Sequence, residues 1–429
     1  MRTTPGPLGL ILTAVIAATG GSPAAVASPP PPTADWVQDG HDATHDNFNP
    51  SEYRITAATV GRLAQGWSVT TTQRRDGACS RQTPPVVVGS RLVLTDPGGV
   101  GAYDATTGRT LWTHRLTNPA DQFPPQLAAD RSSVYLFLTP CRPPASAPPG
   151  TGGAGQSGEL VALDIASGTV RWRTTVPTAA GNLLLSHGVA LVGGSDGTDM
   201  GTWAFDTATG RARWHRLGVI TQQCAADTTI LLSRPYRGGT LAADISTGHT
   251  LWQTPREWLC HAADPAARHL IISETDRDTP AQPGQNPPMR LLKVRADTGA
   301  TVWARDALMG PVAVDHDQVY AAATKNAGQT LVAVDLDSGE TRWHRHLGSV
   351  LPSIAGGLLW GNFGAPTGEQ KLRALEPDTG ADLALPSAVS AAAGLGTPVI
   401  SHGRLYLTNG TDTLRAFTMP ATADPTGAS

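Results

Sequence analysis

A twelve-residue phrase recurs along the chain and constrains its fold more than any other feature. Residues 101–112 read GAYDATTGRTLW, and close variants begin at 161, 203, 241 and 332. The pattern reduces to apolar–Ala–apolar–Asp, two variable residues, Thr or Ser, Gly, three variable residues and Trp. It contains no recognisable catalytic nucleophile, metal-binding pair or phosphate-binding loop. We therefore interpret the phrase as the signature of a repeated structural unit.

The glycine of the phrase sets the length of that unit. Its steps along the chain are 60, 42, 38, 51, 40 and 41 residues. A unit of about 40 residues suits four short strands, the size of one propeller blade. The two longest steps contain Pro- and Gly-rich segments, 141–158 and 274–289, which we interpret as loops inserted into normal repeats. The glycines are Gly108, Gly168, Gly210, Gly248, Gly299, Gly339 and Gly380.

Each position of the phrase has a mechanical role. The alternating apolar residues before Asp predict a strand with one buried face. The Asp side chain accepts hydrogen bonds from the following turn, and Gly supplies the positive φ that the turn needs. We expect the Trp of the next strand to pack between neighbouring blades, where an indole buries on the order of 200 Å². The blade-docking tryptophans are Trp67, Trp112, Trp172, Trp214, Trp252, Trp303 and Trp343.

The two ends of the repeat region predict how the ring closes. Residues 397–418 supply three strands and no fourth, whereas 60–71 reads as a fourth strand, with Trp67 and no partner strands before it. Joining them completes a blade and removes free sheet edges. The last phrase has Ala384 where Trp is expected. The prediction is an all-β fold: an eight-bladed β-propeller of four-stranded antiparallel blades over residues 60–420, closed by the N-terminal strand.

The N-terminus has the features of a secretory signal peptide over residues 1–27. Arg2 precedes a short apolar stretch, and AVA at 25–27 offers a small-residue cleavage site. No cysteine lies near that site, so no lipobox is present. Residues 28–59 then read as a Pro-rich leader and propeller lead-in, and 421–429 as a disordered tail. We expect a protein that is secreted or held at the exterior of the cell envelope.

Composition narrows the expected partners. The formal net charge of −3 gives no reason to expect nucleic acid, whose binders carry basic patches. The N-terminal apolar run is too short to span a bilayer, and no later stretch reaches about 18 apolar residues. We therefore expect no membrane insertion, and we expect a monomer.

Four cysteines fit an oxidising compartment and permit three pairings. Cys224 and Cys260 stand at the start of inner strands in consecutive blades, so we favour a disulfide between them. Cys79 precedes one inner strand and Cys141 follows a second strand, at ends that share one rim, which makes Cys79–Cys141 the companion pair. The alternative is a thiol–metal cluster with His261.

The repeat resembles that of the PQQ-type (pyrroloquinoline quinone) β-propeller family over roughly residues 36–420. The opening WVQDGHDATHDNFNPSEYRIT, at 36–56, is similar to the family's N-terminal lead-in. The family includes quinoprotein alcohol and glucose dehydrogenases and non-enzymatic proteins of outer-membrane assembly. The dehydrogenases cover the quinone with a disulfide between adjacent cysteines and place a calcium-binding Glu and Asn and a catalytic Asp in channel loops. In this chain no two cysteines are adjacent, and we assign none of those positions to its residues.

The lead-in contains two histidines among several acids. His41 and His45 would share a metal if they lay on a helix, but the neighbouring Gly, Asn and Pro disfavour one. We therefore expect a structural lead-in and no metal site here. The acids are Asp39, Asp42, Asp46 and, further on, Glu52.

Polar residues gather where inner strands begin and predict a ligand site at one mouth of the central channel. The alternative is that they form an ordinary solvated rim. The segments 141–158 and 274–289 would form a lid, a surface for a partner, or disordered loops without a role in binding. The mouth residues are Arg81, Gln82, Gln222, Gln223, Trp258 and His261.

These patterns favour a non-catalytic binding or scaffold protein that holds a protein partner or a small ligand at the channel mouth. That interpretation includes no catalytic residue and no cofactor. The alternative is a quinoprotein dehydrogenase that uses PQQ and calcium.

Overall fold

A computed structural model shows an all-β ring of eight blades and confirms the predicted fold class. Residues Thr33–Ser429 form one compact unit. The structure describes residues 34–71, 83–96, 98–117, 123–141, 157–178, 180–195, 200–235, 237–275, 289–323, 330–347, 352–364, 370–392, 396–409 and 412–420. The predicted signal peptide and C-terminal tail lie outside these ranges, as do most of the segments 141–158 and 274–289.

Two N-terminal strands precede the first blade. They are β1 (Phe48–Asn49) and β2 (Ala64–Thr70), separated by a 3₁₀ helix at Val60–Arg62. Blades 1 to 4 each contain four consecutive antiparallel strands, ordered from the channel outward. Blade 1 contains β3 (Val86–Val88), β4 (Arg91–Asp96), β5 (Gly99–Asp104) and β6 (Thr110–Arg115); blade 2 contains β7 (Gln126–Ala129), β8 (Ser133–Leu138), β9 (Gly158–Asp164) and β10 (Val170–Val176); blade 3 contains β11 (Ala180–Ser186), β12 (Val189–Ser195), β13 (Met200–Asp206) and β14 (Ala212–Leu217); blade 4 contains β15 (Ile220–Ala226), β16 (Thr229–Ser233), β17 (Thr240–Asp244) and β18 (Thr250–Thr254).

The remaining blades repeat this arrangement with two additions. Strand β1 joins the inner edge of blade 7, and a single helical turn, α1 (Ser387–Ser390), lies between blades 7 and 8. Blade 5 contains β19 (Trp258–Ala263), β20 (His269–Thr275), β21 (Met289–Arg295) and β22 (Thr301–Asp306); blade 6 contains β23 (Leu308–Val314), β24 (Gln318–Ala323), β25 (Thr330–Asp335) and β26 (Thr341–His346); blade 7 contains β27 (Ser353–Ala355), β28 (Leu358–Gly364), β29 (Gln370–Leu375) and β30 (Asp382–Leu383); blade 8 contains β31 (Val399–Ser401), β32 (Arg404–Thr408) and β33 (Thr413–Thr418).

Strand β2 supplies the outermost strand of blade 8 and closes the ring. It runs antiparallel to β33, with Trp67 opposite Ala416. The outer strand of the last blade therefore comes from the N-terminal part of the chain, as predicted. This pairing covers the outer edge of β33 and gives blade 8 its fourth strand.

The repeated tryptophan packs each blade onto the next one. Each indole Nε1 donates a hydrogen bond of 2.7–3.2 Å to a backbone carbonyl in the turn of the next blade. The acceptor residue lies three positions before the glycine of that turn. A Cβ atom on that glycine would lie 2.5–2.9 Å from the ring, and its φ is 67–72°. The glycine is thus required by the turn and by the indole. The pairs are Trp67–Gly108, Trp112–Gly168, Trp172–Gly210, Trp214–Gly248, Trp252–Gly299, Trp303–Gly339 and Trp343–Gly380.

The contact between blades 7 and 8 has no such pair. The third and fourth strands of blade 8 come from opposite ends of the chain, so no covalent turn with a glycine joins them. A tryptophan in place of Ala384 would therefore have no turn to pack on. Apolar residues of the lead-in and of α1 fill this junction instead, among them Ile55, Val60, Leu63 and Val389.

Apolar side chains of adjacent sheets form the core. Between blades 1 and 2, for example, Val86 and Val93 cluster with Leu136 and Val161, and all four are buried. Neither helix among the described residues has the length and apolar character needed to cross a membrane.

Candidate functional site

The lead-in runs once around the inside of the ring. The innermost strand of each blade leaves backbone N–H and C=O groups unpaired on its channel side, and such edges readily accept another chain. Residues 36–49 take up this role and make hydrogen bonds to the inner strand of all eight blades in order. The contacts are Trp36 to Val87, Val37 to Ala129, Gln38 to Leu185, Ala43 to Ala225, Thr44 to Ala263, Asp46 to Val314, Asn47 to Ile354 and Asn49 to Ile400.

The lead-in follows this curved path because four of its residues adopt positive φ. Gly40, His41, His45 and Asn47 have φ of 73°, 88°, 55° and 56°. No helix forms between residues 34 and 56, so His41 and His45 do not lie together on a helical face. Positive φ is uncommon for residues other than glycine, and a surrounding structure must hold them there. The eight-blade circuit of hydrogen bonds supplies that support.

The lead-in forms the floor of a cavity in the channel, and the inner strands form its walls. The cavity has a volume of about 220 Å³. Asp39 is exposed to it, whereas Gln38 is buried beneath. The lining residues are Gln38, Asp39, His45, Thr83, Pro84, Gln126, Leu127, Leu183, Leu184 and Gln223.

Two histidines and one carboxyl group lie at this floor. His45 Nδ1 is 3.0 Å from the carbonyl of His261, and His45 Nε2 is 3.9 Å from Asp39 Oδ2. Burial opposes a charge on His45, but the nearby Asp39 carboxylate and the bond to the His261 carbonyl raise its pKa above the usual value. The enclosed position of Asp39 in the channel likewise opposes a charge on it, although its side chain is exposed to the cavity, and His45 nevertheless lowers the pKa of that carboxyl. Burial and the charge of His45 lower the pKa of His261 to about 4.

A second cluster of polar side chains lies on the lead-in. His41 Nδ1 is 3.6 Å from Asp42 Oδ2 and 3.8 Å from Asp46 Oδ1. Burial lowers the pKa of His41, although Asp42 acts to raise it. Burial and the charge of Asp42 raise the pKa of Asp46 well above its usual range. One imidazole and two carboxylates are a set of side chains that can bind a metal ion.

The structure separates the predicted channel-mouth residues. Gln223 lines the channel cavity, whereas Gln222, its neighbour, is buried. The Gln222 amide donates to the Trp258 carbonyl at 2.8 Å, and its oxygen accepts from the Cys260 N–H. Gln222 therefore joins the inner strands of blades 4 and 5 and does not face the channel. Arg81 and Gln82 lie outside the described residues.

Trp258 and His261 also make contacts within the ring. The Trp258 indole is buried, and its Nε1 donates to Glu274 Oε2 at 2.8 Å. Glu274 also bonds Arg256 and Arg290 beside a cavity of about 520 Å³ between blades 4 and 5. The ring of His261 lies 2.8 Å from Ser273 Oγ. Sequence reasoning missed the Glu274 cluster, because its members come from three separate segments with no shared motif.

The predicted disulfide between Cys224 and Cys260 is confirmed. It joins β15 to β19, the inner strands of neighbouring blades, with a Cα–Cα distance of 6.1 Å. These two thiols are therefore not ligands of a metal cluster with His261. Cys141 is disulfide-bonded as well, and Cys79 lies outside the described residues, so its pairing with Cys141 stays a prediction.

The fold and the repeats define the class of protein: a closed propeller built from PQQ-type repeats. Residues 151–345 match the family model described as outer membrane protein assembly factor BamB. Residues 36–170 match the one described as glucose/ethanol/alcohol dehydrogenase, β-propeller domain. Between them the two matches extend over most of the ring. The chain belongs to the PQQ-type β-propeller family.

Individual relatives are distant and differ in function. A polyvinylalcohol dehydrogenase from a Pseudomonas species is 25% identical over 321 residues, which are 72% of this chain and 40% of that protein. This chain thus spans well under half of that relative's length.

Two solved structures show the same fold. The quinohemoprotein alcohol dehydrogenase of Comamonas testosteroni superposes with a TM-score of 0.59 at 15% identity, over 92% of this chain and 82% of its own. BamB from Moraxella catarrhalis superposes with a TM-score of 0.57 at 16% identity, over 84% of this chain and 99% of its own. Because one is a dehydrogenase and the other an assembly factor, the likeness establishes architecture and not activity.

Proposed function

We propose that this chain is a non-catalytic binding protein whose channel receives an extended segment of a protein partner. The observation that supports this most is the lead-in itself, which binds the inner edges of the blades along the channel floor. An added segment that pairs with exposed strand edges is a recurring mode of peptide recognition.

The chemistry of the cavity fits a polar or cationic segment. Its described lining combines the amides of Gln126 and Gln223 with the Asp39 carboxylate and the apolar Leu183. Its volume of about 220 Å³ is below the roughly 300–1,000 Å³ of pockets for drug-sized ligands. A side chain or a short stretch of peptide matches that size better than a large cofactor.

The described lining does not fit PQQ. This quinone is a tricarboxylate, and carboxylates in protein sites are held by cationic side chains or metal ions. The described residues around the cavity supply the Asp39 carboxylate with His45 3.9 Å away, and they include no Lys or Arg. We therefore assign no cofactor to the channel.

A PQQ- and calcium-dependent dehydrogenase is the second candidate. It is favoured by the match of residues 36–170 to the dehydrogenase propeller model and by the similarity to a polyvinylalcohol dehydrogenase. Against it stand the cavity lining and the absence of two adjacent cysteines from the sequence.

We also propose that the protein works outside the cytoplasm. The Cys224–Cys260 disulfide supports this, because disulfides persist in oxidising compartments and are rare in the cytosol. The signal-like residues 1–27 point the same way.

Site-specific crosslinking tests the binding function. A photoreactive phenylalanine replaces Gln223 in the cavity, and in the matched control it replaces Gln65, an exposed glutamine on the outer strand β2. After illumination with cell-envelope extract, we expect a defined protein adduct from position 223 and none from position 65. Equal adducts from both positions, or none from 223, would contradict the proposal.

A cofactor titration tests the second candidate. Purified protein is mixed with PQQ and Ca²⁺, and quinone absorbance and dye-linked oxidation of alcohols are recorded. We expect neither saturable binding nor turnover. Saturable binding with turnover would establish the dehydrogenase and overturn the scaffold function.

A further inference from the structure

The His41 ring has one nitrogen with no hydrogen-bond partner, and that nitrogen faces two carboxylates. The side chain is 9% exposed, and Nδ1 is buried without a partner. In the tautomer that carries its proton on Nε2, the lone pair of Nδ1 is free to bind a metal ion.

The two carboxylates are oriented as well. Asp42 Oδ1 accepts from the backbone N–H and the hydroxyl of Thr44, which leaves Oδ2 directed at His41. Asp46 Oδ1 accepts from the Phe48 N–H at 2.9 Å and has a second lone pair available. The three ligand atoms lie within 4.8 Å of one another.

Two carboxyl groups lie close together at this site. The Asp46 side chain is 5% exposed and lies close to the Asp42 carboxylate. In the part of the chain that the structure describes, no Lys or Arg forms an ion pair with either group. A cation bound between them would offset the repulsion between their charged forms.

We propose that His41 Nδ1, Asp42 Oδ2 and Asp46 Oδ1 bind one divalent transition-metal ion, and that this ion is Zn²⁺. One imidazole and two carboxylates suit Zn²⁺, whereas Ca²⁺ and Mg²⁺ prefer oxygen ligands alone. Ligands about 2.0–2.2 Å from a tetrahedral Zn²⁺ lie roughly 3.4 Å apart. The separations of 3.6 and 3.8 Å from His41 Nδ1 need only a small contraction, and the two carboxylates approach each other to within 4.8 Å.

An access route to this site exists on the outer side of the lead-in. Asp42 and Thr44 line a cavity of about 420 Å³ that also contains His187 and Asp227. The Asp42 side chain is 43% exposed, so an ion can reach its carboxylate from solvent. A water molecule from this cavity would complete a four-coordinate ion.

The role that follows is structural. His41 and Asp46 flank the stretch that bonds to blades 4 and 5, through Ala43 and Thr44. An ion held between them fixes this stretch in its positive-φ conformation and strengthens the floor of the channel. The site is distinct from the calcium site of quinoprotein dehydrogenases, because it lies on the lead-in and includes an imidazole.

Calorimetric titration of the untagged, chelator-treated full-length protein with ZnCl₂ tests the proposal. We expect saturation near one ion per chain and a rise in the thermal midpoint. Substituting Co²⁺ should give the visible absorption of a low-coordinate site. A chain that shows no saturable binding would overturn the proposal.

Variants assign the site to its residues. We expect His41→Gln to weaken Zn²⁺ affinity at least 10-fold, since even residues that only orient metal ligands contribute about 10–100-fold. Asp42→Asn is the second variant, because Asn can still accept from Thr44 at this partly exposed position. The matched control is His187→Gln, which alters another His–Asp pair, 3.2 Å apart, in the same cavity. Unchanged affinity in Asp42→Asn together with loss in His187→Gln would overturn the assignment.

Discussion

The indole of Trp303 in blade 5 lies against Gly339 in blade 6, so closely that a Cβ on this glycine would come within 2.7 Å of the ring. Its Nε1 donates at 2.9 Å to the carbonyl of Leu336, in the same turn. Because the same geometry recurs at seven blade junctions, the repeated phrase encodes the interface between blades. Substitutions at two glycines with nearly the same φ can distinguish the effect of the indole contact on stability from the effect of the turn conformation.

We expect Gly339→Ala to destabilise the protein more than Gly357→Ala. The two glycines have φ of 70° and 69°, so both substitutions incur the left-handed strain of about 1–2 kcal/mol. A Cβ at Gly357 meets nothing within 4 Å, whereas one at Gly339 collides with Trp303. Overpacking of this kind costs typically about 1–3 kcal/mol more. Chemical unfolding of the two variants measures the difference, and equal midpoints would show that the indole contact contributes nothing.

We expect Ala384→Trp to leave stability nearly unchanged. Ala384 occupies the tryptophan position of blade 7, but blade 8 lacks the covalent turn on which an indole would pack. The residue is exposed, and exposed substitutions usually change stability by less than about 0.5 kcal/mol. Thermal melting measures this. A clear rise in the midpoint would mean that the new indole finds a partner at this junction.

The sequence was sufficient for the ring and its closure because both depend on a periodic signal. Asp, Gly and Trp recur at fixed spacing within each repeat. The strand predicted at 60–71 has no neighbouring strands before it, and the last repeat lacks a fourth strand, so the two were predicted to pair. The path of the lead-in could not be predicted in the same way. It depends on positive φ at His41 and His45, residues that seldom adopt it. The convergence of His41, Asp42 and Asp46 follows from that path and has no sequence period.

The predicted channel-mouth residues show a second limit of prediction from sequence, the direction in which a side chain points. Gln222 and Gln223 are identical neighbours at the predicted site, but successive side chains of a strand point to opposite sides. Which one faces the cavity depends on the register of β15 against blade 5, and the sequence does not carry that register. One of them therefore lines the channel, and the other bridges two inner strands.

We expect Gln222→Leu to destabilise the protein by about 2–6 kcal/mol and Gln223→Leu to have little effect. The first substitution leaves the buried Trp258 carbonyl and Cys260 N–H without the partners that Gln222 provides, and each such loss costs about 1–3 kcal/mol. Gln223 is exposed to the channel, so water replaces its contacts. Urea unfolding of both variants provides the test, and a larger loss in Gln223→Leu would contradict the assigned orientations.

The aspartates in the turns of the repeated phrase should make the stability of the protein depend on pH in the acid range. Bonds from Arg171 and Ser167 lower the pKa of the Asp164 carboxyl from 3.8 to about 2. A carboxyl whose pKa is lower in the folded state stabilises the protein fully above pH 3.8, and this stabilisation is lost as the pH falls toward about 2. Asp206 and Asp335 have lowered pKa values as well. The largest cause at Asp206 is the bond from Arg213 at 2.6 Å, and at Asp335 it is the bond from the Ser338 N–H, followed by the bond from Arg342 at 2.6 Å.

Asp164→Asn isolates this effect. The amide oxygen of Asn still accepts from the backbone N–H groups of Ala166 and Ser167, as the carboxylate does, but it loses the ion pair with Arg171. We expect lower stability than the unsubstituted protein at pH 6, a smaller difference at pH 3, and convergence near pH 2. Urea midpoints measured across this range provide the comparison. A difference that stays constant from pH 6 to pH 2 would mean that the stabilisation by Asp164 does not depend on its charge.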